Sequence, residues 1–360
     1  MDALTTPSNW QRVRLGDIAN YLTSNLSAEQ ITQQGKIKVY DVNNFIGYTN
    51  TTFISDKPYI SIVKDGSVGR VRILPPKTNI LSTMGALVAN HKTTTEFLFY
   101  LLSNFDFKNF TSGSIIPHIY FKDYKEKTIF LPPLKEQIAI ANILSDVDYY
   151  LYSLDALILK KESVKKALSF ELLSQRKRLK GFNQNWQRVK LGDICEITTG
   201  SLDANEMVHY GKYRFYTCAK EYYFIDKYAF DTEAILISGN GAHVGYVHYY
   251  KGKFNAYQRT YVLDNFSEHI IFVKYFLTMF LQSHIQTNKN EGNTPYIVMA
   301  TLKDFEIPLP PLNEQIAIAN ILSDVDHEII SLKNKKRQFE NIKKALNHDL
   351  MSTKIRVLKK

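Results

Sequence analysis

Leu131 to Asp148 reads Leu-Pro-Pro-Leu-Lys-Glu-Gln-Ile-Ala-Ile-Ala-Asn-Ile-Leu-Ser-Asp-Val-Asp, and 178 residues later Leu309 to Asp326 repeats it with one change, Asn313 for Lys135. A duplication this long restricts the chain to folds made of two like halves. Both copies continue as helix. Steps of four and three from Ile140 meet Leu144, Val147, Leu151, Leu154, Ile158, Lys161, Lys165, Leu168 and Leu172, a heptad seam interrupted by two lysines. The second copy meets Ile318, Leu322, Val325, Ile329, Leu332, Lys336, Phe339, Lys343, Leu346 and Leu350 in the same phase.

No Pro or Gly interrupts the first helix before Gly181, so each helix is expected to run for roughly 45 residues, about 68 Å. A helix of that length cannot bury a narrow stripe alone. Packing of the two on each other as a coiled coil is the economical solution, and the shared seam counts against two core helices in separate globules. The Pro-Pro pair suits the start of a helix, where a missing N–H costs nothing. Glu136 and Glu314 fall in the first turn, where the helix dipole favours a carboxylate.

A second repeat opens each half. Asn9-Trp10-Gln11-Arg12-Val13-Arg14-Leu15-Gly16-Asp17-Ile18 returns as Asn185-Trp186-Gln187-Arg188-Val189-Lys190-Leu191-Gly192-Asp193-Ile194, and these hold the only two Trp. Each half is therefore a Trp-led entry, a globular module and a long helix: 1–133, 134–180, 181–311 and 312–360. Within the modules only landmarks are shared. Asp65-Gly66-Ser67-Val68-Gly69-Arg70-Val71 resembles Asn240-Gly241-Ala242-His243-Val244-Gly245-Tyr246-Val247 with one residue inserted, and Pro117-His118-Ile119 resembles Pro295-Tyr296-Ile297. A kept frame around a changed interior is what two recognition modules with different targets would show.

Runs of β-branched and aromatic residues bounded by Gly, Asn, Asp or Pro predict strands at 37–42, 59–63, 68–74, 213–218, 234–238, 244–249 and 257–263. Helical spacing marks 96–107 and 269–286. The fold class is α+β, two mixed modules separated by two long helices packed as a coiled coil.

At 360 residues and 44% hydrophobic, the chain has material for two real cores. No apolar run reaches the roughly 20 residues of a membrane span, and Met1 to Trp10 lacks the pattern of a signal peptide, so a cytoplasmic protein with no membrane partner is expected. Cys195 and Cys218 are too few for a disulfide framework. The net charge of +10 suits a polyanion partner, yet residues 185–311 carry 12 basic and 13 acidic side chains, so bulk charge does not by itself establish one.

Recognisable catalytic chemistry is missing. The Gly-Lys pairs at Gly35, Gly211 and Gly252 are followed by Ile, Tyr and Phe rather than the Ser or Thr that a nucleotide-bound magnesium needs. There is no dinucleotide fingerprint, no Asn-Pro-Pro-aromatic segment and no metal-spaced His/Cys cluster. His243 and His248 fit ordinary surface positions better than ligands, and Asp65 before Gly66 fits a turn better than a nuclease motif.

What remains are the Gly-rich tips. Glycine lets backbone approach phosphate, Arg suits guanine, and Asn or Gln suits adenine. The first module then offers Asn43, Asn44, Lys64, Arg70, Arg72, Lys77 and Asn79, and the second Arg214, Tyr216, Asn240, His243, Tyr246, Gln258 and Arg259. Any one of these could also be plain solvated surface, and most tyrosines of the second module suit a core or strand face. Basic residues close both helices, Arg176 to Lys180 and Lys354 to Lys360, with Arg178 and Arg356 in equivalent places.

Two variable modules, each led by Trp-x-x-Val-x-Leu-Gly-Asp and followed by Leu-Pro-Pro-Leu-x-Glu-Gln-x-x-Ile and a long helix, resemble the specificity subunit of type I restriction-modification systems over essentially the whole chain. The resemblance implies target recognition domains that each read half of a split double-stranded DNA target, with the helices antiparallel as a spacer whose length sets the gap between half-sites. It implies two adenine methyltransferase subunits docked near Glu136, Gln137, Glu314 and Gln315, and restriction (motor-nuclease) subunits added for cleavage. Cofactors would be none in this chain, with S-adenosylmethionine, ATP and Mg in the partners. A related system with a fused methyltransferase-nuclease partner, and a non-DNA adaptor on a coiled-coil scaffold, are the alternatives.

Overall fold

A computed structural model of the chain describes residues 9–288, 295–352 and 354–357. The chain divides into two compact units, Met1–Ala156 with Asn334–Lys360, and Leu157–Lys333. Each unit therefore takes one module and a part of both long helices.

In the first unit β1 (Gln11–Arg14), the strand after Trp10, returns to pair antiparallel with the last strand of its module. Between them run β2 (Ala19–Thr23), β3 (Ile37–Tyr40), β4 (Phe45–Thr49), β5 (Tyr59–Val63), β6 (Val71–Leu74), β7 (Asn79–Ile80), β8 (Met84–Ala89), helix α1 (Thr95–Ser103), β9 (Thr111–Ser112), β10 (His118–Ile119) and β11 (Thr128–Leu131). The strands form a sheet β2-β8-β5-β6 and a smaller sheet β4-β3-β7. All five residues of β5 are buried, as a continuous apolar strand must be when both faces are covered.

The second unit keeps the frame. Here β12 (Gln187–Lys190) pairs with β19 (Glu306–Leu309), and one six-stranded sheet runs β13-β18-β16-β17-β14-β15. Its strands are β13 (Glu196–Thr199), β14 (Tyr213–Tyr216), β15 (Tyr223–Ile225), β16 (Phe230–Ser238), β17 (Val247–Ala256) and β18 (Thr260–Asp264). Where the second module has the unbroken β17, the first has β6 and β7 separated by Pro75-Pro76. Proline donates no ladder hydrogen bond, so this pair splits one strand into two and one sheet into two. The strand predicted at 244–249 starts later, at Val247, and runs to Ala256.

The long helices are α2 (Leu134–Leu173) and α4 (Leu312–Met351), with α3 (Ile270–Asn288) between them. In the first unit the start of α2 lies antiparallel to the end of α4: Lys343 pairs with Asp148, Lys336 Nζ lies 2.7 Å from Asp155, and the rings of Tyr150 and Phe339 are 4.6 Å apart. In the second unit the end of α2 lies antiparallel to the start of α4: Lys165 pairs with Asp326, and Lys161 Nζ lies 2.8 Å from Glu328. The lysines that interrupt the seam are thus cations for carboxylates of the other helix. Parallel pairing in register would instead set Lys165 against Lys343, so charge selects the antiparallel arrangement. Along the seam Leu144, Leu154, Ile158, Leu322 and Ile329 are buried, and Val147, Leu151, Val325, Leu332 and Phe339 are half-buried.

Helix α2 stops at Leu173, short of Gly181, because Gln175 takes the left-handed conformation with φ 61°. The early stop lets the basic tail fold back. No helix among the described residues is long and apolar enough to cross a membrane, and both cysteines are free. Burial pushes the Cys195 thiol up to about 12, which keeps it protonated near neutrality.

Asp326 also shows how the seam responds to acid. Burial raises its pKa, but hydrogen bonds from Lys165 and from the Tyr275 hydroxyl at 2.7 Å outweigh that and hold it below the ordinary value. A carboxylate depressed in the folded state stabilises above its unfolded pKa and loses that contribution as pH falls through the folded value. Asp326→Asn is therefore expected to lower the urea midpoint at about pH 7, and to lower it less at an acid pH below the ordinary aspartate value, as the depressed folded value is approached. Equal differences at both pH values would count against the assignment.

Candidate nucleic-acid interface

The two repeated motifs meet inside each unit. Trp10 Nε1 donates to Glu136 Oε2 at 3.1 Å, and Arg356 Nε donates to Glu136 Oε1 at 2.9 Å. In the second unit Trp186 Nε1 donates to Glu314 Oε2 at 3.2 Å, and Arg178 donates to both oxygens at 2.8 Å. Gln137 Nε2 donates to the carbonyls of Pro132 and Lys92, while its Oε1 accepts from the Thr93 hydroxyl and the Thr94 N–H. Gln315 Nε2 donates to the Pro310 carbonyl and to the Glu268 carboxylate, and its Oε1 accepts from the His269 N–H.

The Leu-Pro-Pro-Leu-x-Glu-Gln signature is thus an internal clasp. This corrects the docking expectation for the four side chains: Glu136, Gln137, Glu314 and Gln315 are all 2% exposed or less and fully engaged. The exposed apolar side chains of the long helices are others, among them Leu134, Ile138, Tyr149 and Tyr152 on α2 and Leu312, Ile316 and Ile330 on α4.

The Gly-rich landmarks become the turns after β5 and β16. Gly69 N–H bonds Val63 O, and Gly245 N–H bonds Ser238 O, so the inserted residue is taken up within the loop. Both glycines are left-handed, at φ 80° and 79°, and a Cβ would lie 2.6 Å from the Phe107 ring or 2.4 Å from Ile285. Each tip rests on the second landmark: Gly66 N–H bonds Pro117 O, Ile119 N–H bonds Lys64 O, Gly241 N–H bonds Pro295 O, and Ile297 N–H bonds Gly239 O.

On this shared backbone the side chains differ. The first tip carries half-buried Lys64, exposed Arg70, and Asp65 bonded at 2.6 Å to His118 Nδ1, with exposed Tyr120 and Lys122 following. The second carries Asn240, His243 and Tyr246. Exposed Gln258 and Arg259 join it, because Gly239 N–H bonds Arg259 O at 2.8 Å.

Other candidates lie elsewhere. Asn43 and Asn44 are exposed in the β3–β4 turn. Arg72 reaches the Asn43 carbonyl at 2.8 Å and stacks 5.3 Å from the Tyr40 ring, so it ties that turn to β6. Lys77 is exposed after the Pro-Pro turn, at the far end of β6 from the tip.

Two assignments are corrected. Asn79 is buried, donating to Thr52 O at 2.7 Å and accepting from the Ile80 N–H. Its counterpart Asn255 does the same with Lys227 O and the Ala256 N–H, so both amides replace backbone partners that the sheet lacks. Tyr216 is buried in the core. Arg214 is clamped between the rings of Tyr222 and Tyr250, at 4.3 and 4.4 Å. His118, Tyr120 and Tyr296 stand beside the tips although their sequence context does not single them out individually. Their signal was the matched Pro117 and Pro295 landmarks, whose contact with the tips is tertiary.

Two copies of one frame, each closed by the same buried clasp and each carrying different side chains on its Gly-rich tip, define an internally duplicated two-module protein. The chain belongs to the type I restriction modification DNA specificity domain family, whose model matches residues 7–161 and 183–341. It is 37% identical to the EcoDI specificity subunit of Escherichia coli over 171 residues, covering 47% of this chain and 37% of that protein. It is 27% identical to the MjaVIII specificity subunit of Methanocaldococcus jannaschii, covering 99% and 95%. The fold matches a crystal structure of a type I restriction-modification system S subunit from M. genitalium, with TM-score 0.68 at 20% identity over 97% of this chain and 98% of that one.

Proposed function

We propose that the chain selects the DNA sequence for a type I restriction-modification complex, each module reading one half of a bipartite double-stranded target. One observation carries this reading: the two tips keep the same backbone bonds and exchange the side chains on them. A frame that holds loop position constant while Lys64, Arg70 and His118 in one module give way to Asn240, His243, Tyr246 and Arg259 in the other suits two base-reading heads.

The long helices act as spacer, and their exposed apolar faces dock two adenine methyltransferase subunits, to which restriction subunits add. Methylation and ATP-dependent cleavage then belong to those partners, and S-adenosylmethionine, ATP and magnesium are theirs to bind. Methylome sequencing of a host expressing this chain with its methyltransferase subunit tests the reading. A split motif is expected, and methylation without any sequence dependence on this chain would refute it.

Within the reading, Arg70→Ala is expected to weaken binding to the recovered target by about 1–3 kcal/mol, seen in a mobility-shift titration across salt concentrations. Asn79→Ala is expected to act on stability instead and to leave the salt dependence of the folded protein unchanged.

A further inference from the structure

The hairpin formed by β9 and β10 ends in two isoleucines that neither the frame nor the reading tip uses. Ile115 is 92% exposed and Ile116 54% exposed, at an apex otherwise made of Ser112, Gly113, Ser114 and Pro117. The apex is tightly built. Gly113 is left-handed at φ 92°, and a Cβ there would lie 2.3 Å from the Ile116 carbonyl oxygen. The base of the hairpin is joined to the reading tip by His118 on Asp65, by Pro117 O on the Gly66 N–H and by Lys64 O on the Ile119 N–H. Exposed Arg70 follows the tip, and exposed Lys122 lies in the short helix Phe121–Tyr124 that follows β10, with its Nζ 5.4 Å from the Tyr120 ring. Of the carboxylates nearby, Asp65 is engaged by His118, and Asp123 is exposed beside Lys122.

We propose that Ile115 is a wedge that enters a base-pair step of the half-site read by the first module, with Ile116 behind it. This rests on the DNA-reading proposal above. A β-branched side chain has few rotamers and holds its direction, and apolar wedges of this kind part stacked bases and bend the duplex. The flanking cations supply the phosphate contacts that hold such a wedge in register. A protein partner would need a broader apolar face with a polar rim, whereas this is a narrow ridge of two side chains flanked in the chain by Ser114 and Pro117. The corresponding part of the second module includes residues 289–294, outside the described residues.

The test uses the full chain assembled with its methyltransferase subunits and a duplex carrying the methylome-defined target, with 2-aminopurine placed in turn at each position of the first module's half-site. Wild type is expected to raise fluorescence several-fold at one step away from the methylated adenine, whose extrusion by the methyltransferase gives a separate signal that Ile115 does not control. Ile115→Ala should abolish that rise and weaken binding about tenfold with the salt slope unchanged. Ile115→Leu should retain both signals, and an unchanged thermal midpoint confirms that the Ala variant is folded. Wild-type affinity and fluorescence in Ile115→Ala overturn the wedge and leave DNA reading standing. Loss of methyltransferase co-purification with DNA binding intact makes the apex a protein contact and overturns the wedge. Absence of DNA binding at any salt overturns both proposals.

Discussion

Glu314→Ala is expected to lower the unfolding midpoint of the second unit by about 6–12 °C, the largest effect of any single substitution considered. Glu314 is 1% exposed and accepts from Trp186 and twice from Arg178. Removing one partner of a buried ion pair leaves the other charge without compensation, a loss of about 3–5 kcal/mol. The Arg178 side chain is 28% exposed and can turn partly to water, so the lower figure of about 3 kcal/mol applies. For a unit of this size each kcal/mol moves the midpoint by about 2–4 °C.

Glu136→Ala should produce the matching loss in the first unit, where Trp10 and Arg356 would be left without their acceptor. Because the only tryptophans sit in the two clasps, Trp10→Phe and Trp186→Phe backgrounds allow each unit's melt to be followed by the fluorescence of the other tryptophan. A midpoint within a degree or so of wild type in Glu314→Ala would mean that the clasp does not hold the module to its helix.

The second large effect concerns the target rather than the fold. One heptad inserted after Ala156 in α2 and one after Lys333 in α4 leaves the contacts within each unit intact, because the division between units falls at those points. Seven helical residues add about 10 Å, and duplex DNA rises about 3.4 Å per base pair, so the recognised spacer should lengthen by up to about three base pairs. Both half-site sequences should persist. Methylome sequencing reads both outcomes, with methylation at the original spacing falling to background. Retention of the original spacer would remove the helices from their role as a ruler.

The architecture was largely legible because it was written twice. Period 3.5 along α2 and α4, the Pro-Pro starts and the two Trp motifs are local patterns, and local patterns survive in a single sequence. The predicted strand at 59–63 coincides with β5, while 68–74 and 244–249 missed their starts because Gly-rich tips and strand residues share β-branched character. The split of the first module's sheet was readable in principle from Pro75-Pro76.

Residue roles were much less legible. Asn79 and Arg70 look equally suited to DNA, yet one is spent on strand backbone and the other is exposed. Glu136 and Gln137 look like a surface signature, yet they are the interior of a clasp whose other members lie up to 220 residues away.

Taken alone, the sequence determined that the chain is two copies of one helix-bearing frame, since repetition and periodicity require no knowledge of what touches what. The tertiary structure decided which polar side chains are consumed by the frame and which remain exposed. Burial and hydrogen-bond partnership depend on contacts between residues far apart in the chain, and no spacing within a single segment encodes them.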